Sequence, residues 1–561
     1  MASSGDNAAV QSAPAPKRRR GVRSFLPAVL FLCLAGLLFC SNPFLKLPYD
    51  IWEHLIRIAS LRDEGAAFIF WPEDKPPSMH SWHWLWASCF RILGINDLFA
   101  WAKIIHASQF ILALFCMFFF CETVYRHLIH PDSRPHSTDA ARRGLTFTLA
   151  AVSTLLWFIG NGTYSAPFQQ AWIMWYSVTY QGMTIPLFWY MLALTVRLLW
   201  DPVLSRRGFV LYVLQVAVLF PLVTVMHPTE GVCFLLSFLV LCLARSDRTL
   251  PWLKRRWYCA CATVLALAAL AAAMISYELV PLPALLREGV NPALLLARIS
   301  ALGRTYMEEG LNRFPTSFSE AAVISLAAGA LLVLIAFSLK QIGAMLEKRL
   351  LVALFILSCL FFLIPMSRPL AGLACLVTHP HVVWRFFFAC PWFVFLPMAL
   401  GLALAVLSRE GVPRRAALAA ANLIMVALLL AGSRYGMTGV TFQNARSIAR
   451  SFSSRVVGVQ YSSADIARLR QVVEQAERRS GGNKPRLFYV RGDLAPIVRG
   501  VFRKYVFADR RSQLPRSAFF ESHLDRKYAL VDVRLPPDFP KDSEIFRSFP
   551  LLDRQQDPPE P

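Results

Sequence analysis

The chain has 561 residues, of which 56% are hydrophobic and only 17% are charged, and its mean hydropathy is +0.45. Soluble proteins of this length are not so apolar, so the composition indicates an integral membrane protein with many spans. The net charge of +23 would suggest a nucleic-acid partner in a soluble chain. Here most of the surplus lies in short loops between apolar runs, where it orients the protein and contacts membrane lipids. No nucleic-acid partner is therefore expected.

Apolar runs along the chain predict about eleven transmembrane helices, by the requirement of roughly 20 residues for each span. They lie near 24–40, 98–122, 145–160, 182–200, 208–226, 231–245, 257–277, 319–339, 350–366, 386–408 and 416–432. Every second loop is rich in Lys and Arg, and the positive-inside rule places those loops in the cytoplasm. The predicted fold class is a mainly α, polytopic helical membrane protein with its N-terminus inside and its C-terminus outside. An even number of spans, with a cytoplasmic C-terminus, is the alternative.

Three regions are predicted from these runs. Residues 1–23 form a disordered basic cytoplasmic tail, 24–432 form the transmembrane module, and 433–561 form a small external soluble α/β domain. In the last region an amphipathic pattern predicts a helix, and short β-rich runs predict strands. These elements are Ser463–Arg479, Arg486–Val490 and Tyr528–Val533.

The first external loop, 41–97, is predicted to carry two juxtamembrane helices, at Asp50–Arg62 and Trp82–Leu93. In the first of them, Asp50, Glu53 and His54 follow at i, i+3 and i+4 and share one helix face. Two carboxylates and an imidazole at a membrane surface suit acid/base catalysis or the binding of an ion. A solvated helix face is the alternative interpretation. If a metal binds, these three residues are its candidate ligands, and a divalent cation such as Mg²⁺ or Mn²⁺ is the candidate cofactor.

Histidines recur on the predicted external side. His80 and His83 are three residues apart and can share a helix face that binds a metal or a phosphate, or they can belong to an interfacial belt of aromatic residues. His227 begins the break His227-Pro228-Thr229-Glu230-Gly231 between two apolar runs. A membrane hairpin explains Pro and Gly but does not require His and Glu, and ionisable groups at membrane depth are usually functional.

A late basic residue is the candidate for phosphate binding. Arg385 follows His379 and His381 at the predicted entry to a span, where a guanidinium can grip the phosphate of a lipid carrier through two hydrogen bonds. The alternative is an Arg that reaches to the lipid headgroups. Gln181 opens another span within a run of hydroxyl-bearing residues, which suits a sugar or a buried hydrogen-bond network.

The layout resembles that of the GT-C superfamily, membrane glycosyltransferases that use polyprenyl-phosphate-linked sugars. The resemblance rests on a short cytoplasmic tail, a first span, an external loop with an early acidic residue and two surface helices, and an external C-terminal domain. Asp50, in Asp50-Ile51-Trp52-Glu53-His54-Leu55, resembles the superfamily's acidic residue that acts as base or orients the acceptor. Arg385, in Trp384-Arg385-Phe386, resembles its late Arg against the carrier phosphate. The chain departs from the Asp-Asp or Asp-Glu pair of several members, because Ile51 follows Asp50.

This resemblance implies an inverting transfer of sugar from a polyprenyl-phosphate donor to a glycan, lipid or protein acceptor, on the external face of what is expected to be a bacterial inner membrane. Asp50 would be the base, with Glu53 and His54 orienting the acceptor or holding an ion. Arg385 would bind the phosphate, with His379 or His381 assisting, and His227 would line the cavity. The alternatives are a polysaccharide polymerase or ligase of another fold, a flippase or transporter of lipid-linked sugars, and a membrane scaffold without chemistry.

Overall fold

The structure is a computed structural model, and the residues that it describes cover most of the predicted spans. They are 26–40, 54–62 without 56 and 60, 81–96, 98–129, 139–160, 177–201, 206–255, 291–310, 320–339, 346–378, 380–407, 463–480, 486–491, 498, 502, 506–509 and 529–533. The predicted spans 257–277 and 416–432 and the predicted tail 1–23 lie outside these residues.

The described part of the membrane module is built from α-helices. They are α1 (Leu26–Cys40), α2 (Ser81–Ile92), α3 (Leu98–Leu128), α4 (Asp139–Gly160), α5 (Gln181–Trp200), α6 (Arg206–Met226), α7 (Pro228–Ala244), α8 (Ser246–Arg255), α9 (Pro292–Thr305), α10 (Glu320–Ser338), α11 (Lys348–Met366), α12 (Arg368–Ala374) and α13 (Phe395–Leu407). Eight of the predicted spans coincide with one of these helices.

Five segments are long and apolar enough to cross a membrane by length and composition, and three shorter apolar helices accompany them. The five are Ala100–Leu128, Gln181–Trp200, Arg207–Met226, Lys348–Met366 and Val382–Ala403. The chain is therefore an integral membrane protein.

The centre of the module is an aromatic core between α3, α4, α5 and α11. Trp189 of α5 is fully buried, and its ring lies 4.6 Å from that of Phe120 and 5.2 Å from that of Phe393. Many outward-facing side chains are large and apolar, as expected where lipid rather than water is the solvent.

The predicted span at 386–408 differs from a simple helix. It begins with a 3₁₀ helix at Pro380–Ala389, continues with a second at Trp392–Val394, and becomes α-helical only in α13. Pro391 lies between the two 3₁₀ helices and has no backbone N–H to continue a helix. Arg385, predicted at the boundary of this span, therefore lies within a ten-residue 3₁₀ segment, which is long for this geometry.

Neighbouring helices supply the hydrogen bonds that this interruption removes. The Tyr125 hydroxyl donates to the carbonyl of Val394 at 2.8 Å. The Ser325 hydroxyl donates to the carbonyl of Trp392 and accepts from the backbone N–H of Leu396 at 3.0 Å. Irregular backbone is tolerated at membrane depth only where protein groups satisfy it, so these contacts allow the interruption.

The first loop is helical in α2 and in residues 54–62 without 56 and 60, in agreement with the two predicted helices. Their location at the external membrane surface stays a prediction. Arg91 of α2 donates to the carbonyls of Leu61 and Arg62. The Arg62 guanidinium lies 5.3 Å from the ring centroid of Trp101 in α3, which stacks on Phe90. Cation–π and backbone contacts therefore fix the loop to the first turn of α3.

The C-terminal region contains α14 (Ser463–Arg479) and the strands β1 (Arg486–Arg491), β2 (Val506–Asp509) and β3 (Ala529–Val533). The strands form a parallel sheet in the order β2-β1-β3, with Phe488 opposite Val506 on one side and Val531 on the other. The predicted helix and the two predicted strands are thus present. The external location of this region stays a prediction.

Gly231 permits the closest approach of α6 and α7. A Cβ at this position would lie 2.4 Å from Oγ1 of Thr224, whose hydroxyl donates to the carbonyl of Phe220 at 2.7 Å. We expect Gly231→Ala to destabilise the protein by about 1–3 kcal/mol through overpacking. Thermal unfolding in detergent measures this loss.

Gly144→Ala is the matched control, because a Cβ at this helical position meets no atom within 4 Å. It should leave stability unchanged or raise it by about 0.5–1 kcal/mol. Equal melting temperatures of Gly231→Ala and the unmodified protein would contradict the close packing of α6 and α7.

Candidate functional site

Ionisable and aromatic side chains from five parts of the chain form one continuous line of contacts. The contributors are the first-loop helix (54–62), α2, the turn before α5, and the turn between α6 and α7; the 3₁₀ segment with Arg385 closes the line. We call this set the site cluster, and its members are His54, His83, Tyr180, His227, Glu230 and Arg385.

The first pair in the site cluster is His54 with His83. Nδ1 of His54 lies 2.8 Å from Nε2 of His83, and the rings stack with centroids 5.0 Å apart. His83 is buried, with 1% of its surface exposed. One of the two nitrogens must carry the shared proton, so the pair holds both a donor and an acceptor.

Tyr180 joins this pair to the second half of the site cluster. Its ring meets His54 edge-to-face with centroids 5.3 Å apart, and it lies 5.3 Å from the ring of His227. Because edge-to-face aromatic contacts have a preferred geometry, Tyr180 sets the spacing between the two imidazoles.

The second half consists of Glu230, His227 and Arg385. His227 Nδ1 donates to Oε2 of Glu230, and Nη1 of Arg385 donates to Nε2 of His227 at 3.2 Å. His227 and Glu230 are each 7% exposed, and Arg385 is half-buried. Burying a charged group costs free energy unless the group is paired or hydrogen-bonded. Here the His227 imidazole lies between the Glu230 carboxylate and the Arg385 guanidinium and gives each a hydrogen-bonding partner.

Local sequence explains how these groups are placed. His227 has an extended backbone (φ −155°, ψ 103°), and Pro228 begins α7 at a position that needs no backbone donor. Glu230 then falls in the first helical turn, where the helix dipole favours a negative charge. The carboxylate therefore points back to the imidazole three residues earlier.

Polar side chains of α3 fix the turn that carries Tyr180. With its amide oriented to match its neighbours, Gln109 accepts from Trp82 Nε1 at 2.8 Å and donates to the carbonyls of Ser177 and Thr179 at 2.9 and 3.0 Å. His106 Nδ1 lies 2.8 Å from Oγ of Ser177. The buried turn is thus tied to α2 and α3 immediately before Tyr180.

Gln181, a predicted sugar ligand, is buried, and its Oε1 accepts from the hydroxyl of Thr179 at 2.6 Å. This contact belongs to the hydrogen-bond network that was the alternative interpretation of the stretch. Its role in sugar binding stays a prediction.

A further buried phenol lies beside the 3₁₀ segment. Tyr306 begins a π-helical turn, Tyr306–Gly310, which packs against Pro380–Ala389. It is fully buried, and its hydroxyl has no hydrogen-bond partner among the described residues. Burial raises the pKa of this hydroxyl above its usual value, so the side chain is neutral at neutral pH.

The structure brings together four of the predicted site residues: His54, His83, His227 and Arg385. Asp50, Glu53, His80 and His379 lie outside the described residues, as does the side chain of His381. The sequence pattern pointed to Glu230, together with His227, as an ionisable group at membrane depth, but it did not point to Tyr180 or Gln109. A Glu directly after His-Pro-Thr was a usable signal; nothing in the sequence marks Gln109, which acts through a distant turn.

The described donors do not fit the expected Mg²⁺ or Mn²⁺. Within the described ranges no group of three or more His, Cys, Asp or Glu side chains is placed to hold a metal ion. The close pair, His54 and His83, offers imidazole nitrogens, whereas these hard cations prefer oxygen ligands. Asp50 and Glu53, the predicted carboxylate ligands, are not among the described residues.

The fold and the site cluster define a helical integral membrane protein with a polar site built at the end of its bundle. No family model and no curated protein sequence matches the chain. It is similar to the oligosaccharyltransferase of Archaeoglobus fulgidus crystallised with Zn and sulfate, with a TM-score of 0.43 and 12% identity, over 86% of this chain and 62% of that one.

A second similar structure is the archaeal oligosaccharyltransferase AglB from the same organism, in complex with an inhibitory peptide and a dolichol-phosphate. Its TM-score is 0.41 and its identity 11%, over 87% of this chain and 65% of that one. The chain thus spans less than two thirds of the length of these proteins.

Replacing Gln109 tests the support of the Tyr180 turn. Gln109→Leu leaves one indole N–H and two carbonyls without their partner, and we expect a loss of about 1–3 kcal/mol in stability. Thermal unfolding measures it. Gln215→Leu is the control, because Gln215 accepts one bond, from the half-buried Tyr190 hydroxyl at 2.7 Å. Equal losses in the two variants would contradict the role of Gln109.

Proposed function

We propose that the protein is a glycosyltransferase that moves a sugar from a polyprenyl-phosphate donor to a glycan, lipid or protein acceptor at the external membrane face. The observation that carries this proposal is the line of contacts from His54 to Arg385. It connects His54 of the first loop with the late guanidinium of Arg385, which are far apart in sequence.

Arg385 is the group for the carrier phosphate. A transferred sugar leaves a lipid phosphate whose negative charge grows in the transition state, and a fixed cation stabilises that charge. The Arg385 guanidinium donates through Nη1 to His227, which holds it in the site cluster. Its planar fork suits two hydrogen bonds to a phosphate, and Trp384, 5.6 Å away, packs on it. His379 and His381 are proposed to assist.

Asp50 is the proposed base, which accepts the acceptor's proton as the new glycosidic bond forms. On a continuous helix it lies one turn before His54 on the same face. The contacts of His54 with His83 and Tyr180 support the proposal that this face is turned toward the site cluster. Glu53 and His54 then orient the acceptor, and His80, His83, His227 and Gln181 line the space between acceptor and phosphate. No step in this scheme passes through a metal ion.

Asp50→Asn tests the base. Removing general-base catalysis should lower transfer by about 10²–10⁴-fold, with the protein still folded in the membrane. The measurement is the transfer of radiolabelled sugar from a polyprenyl-phosphate-linked donor in reconstituted vesicles. The control is Glu122→Gln, which removes a carboxylate from an exposed pair with Arg126 and should leave transfer unchanged. Near-normal transfer in Asp50→Asn would remove Asp50 from this role.

Arg385→Lys tests the phosphate contact. The substitution keeps the charge but loses the planar fork, and we expect transfer to fall by about 10²-fold, as when a transition-state donor is removed. Arg368→Lys is the matched control, since Arg368 is exposed and bonds Ser300. If both variants keep normal transfer, Arg385 does not contact the leaving phosphate.

A further inference from the structure

We infer that Glu230 and His227 are positioning residues that aim Arg385 at the carrier phosphate, with Glu230 acting through the tautomer of His227. The inference rests on the proposed function of Arg385 and adds the question of how that side chain is held. Neither residue needs to touch substrate for this role.

The hydrogen-bonding partners of His227 determine which of its ring nitrogens carries the proton. A guanidinium has only N–H donors, so Nε2 of His227 must present its lone pair to Nη1 of Arg385, at 3.2 Å. The neutral imidazole then carries its proton on Nδ1, and Nδ1–H needs an acceptor. Oε2 of Glu230 is that acceptor. One tautomer satisfies both contacts.

Without the carboxylate, the imidazole would be free to adopt the other tautomer. Its Nε2–H would then face the N–H groups of Arg385, donor against donor, and the guanidinium would move away from its present direction. In a buried site such an unsatisfied pair is expensive, because water does not replace the lost partner. Glu230 therefore determines the orientation of the Arg385 side chain, although the imidazole ring of His227 lies between them.

The competing explanation is that Glu230 only complements the dipole at the start of α7. A shorter acidic side chain at position 230 distinguishes the two explanations. Glu230→Asp keeps the charge in the first helical turn but shortens the side chain by one methylene, so the carboxylate no longer reaches Nδ1 from the same backbone position. A dipole role tolerates this change, whereas a positioning role does not.

Substitutions of His227 distinguish the two explanations in a second way. A Gln side chain has both an acceptor oxygen and donor N–H groups, so His227→Gln is able to accept from Arg385 and donate to Glu230. His227→Leu fills similar space and does neither. Rescue by Gln but not by Leu is expected only if residue 227 relays hydrogen bonds.

The experiment measures binding of undecaprenyl monophosphate to the full chain in nanodiscs, followed by intrinsic tryptophan fluorescence, with undecaprenol as the probe without a phosphate. We expect Arg385→Ala to weaken phosphate-dependent binding by about 30-fold or more, since charge-assisted bonds are lost. Glu230→Leu, Glu230→Asp and His227→Leu should each weaken it by about three- to tenfold. His227→Gln should stay within about twofold of the unmodified protein.

The outcomes separate the two claims. If Arg385→Ala binds normally, the proposed function of Arg385 fails. If Arg385→Ala loses binding while Glu230→Asp and His227→Leu bind normally, the positioning role alone fails. Equal losses in His227→Gln and His227→Leu also overturn it, because a hydrogen-bond relay should be rescued. Size-exclusion profiles establish folding. If His227→Leu does not fold, Glu230→Asp and Glu230→Leu decide the matter, since both retain the imidazole.

Discussion

The structure of the site depends on an opposite-charge pair that never meets directly. Glu230 and Arg385 are separated by His227, whose two ring nitrogens serve one partner each. A carboxylate and a guanidinium in largely apolar surroundings are tolerable only when each is hydrogen-bonded. An imidazole between the two charged groups meets that requirement. It also keeps the carboxylate and the guanidinium farther apart than they would be in a direct ion pair. The guanidinium is thereby held through the imidazole.

The same requirement governs the backbone around Arg385. The span that carries it is interrupted near Pro391, and the carbonyls released there accept from Tyr125 and Ser325, which belong to two other helices. On the opposite side of the site cluster, Gln109 holds the turn that ends in Tyr180. Irregular segments carry Tyr180, His227 and Arg385 of the site cluster, and side chains of regular helices satisfy main-chain atoms of these segments. This role in satisfying irregular backbone explains why buried polar residues occur on helices that are otherwise apolar.

The sequence predicted the helices better than the site, for physical reasons. Long apolar runs and Lys- and Arg-rich loops report directly on insertion into a membrane, and eight predicted spans coincide with helices. His54, His83, His227 and Arg385 were recognisable because ionisable groups are rare in such surroundings. Gln109 was not, since its partners are indole and carbonyl groups that only tertiary structure brings near. The 3₁₀ geometry was also missed. Its Phe-rich sequence equally suits an α-helix, and the choice is made by Pro391 and by hydroxyls from neighbouring helices.

The 3₁₀ geometry of Pro380–Ala389 has a consequence for how this part of the chain is able to vary. With three residues per turn, side chains at i and i+3 stand in register, so Val382, Arg385 and Phe388 form a single row along the segment. Adding or deleting one residue ahead of Arg385 would turn it through about a third of a circle, away from His227. Length changes within the segment ahead of Arg385 preserve the direction of the guanidinium only in multiples of three.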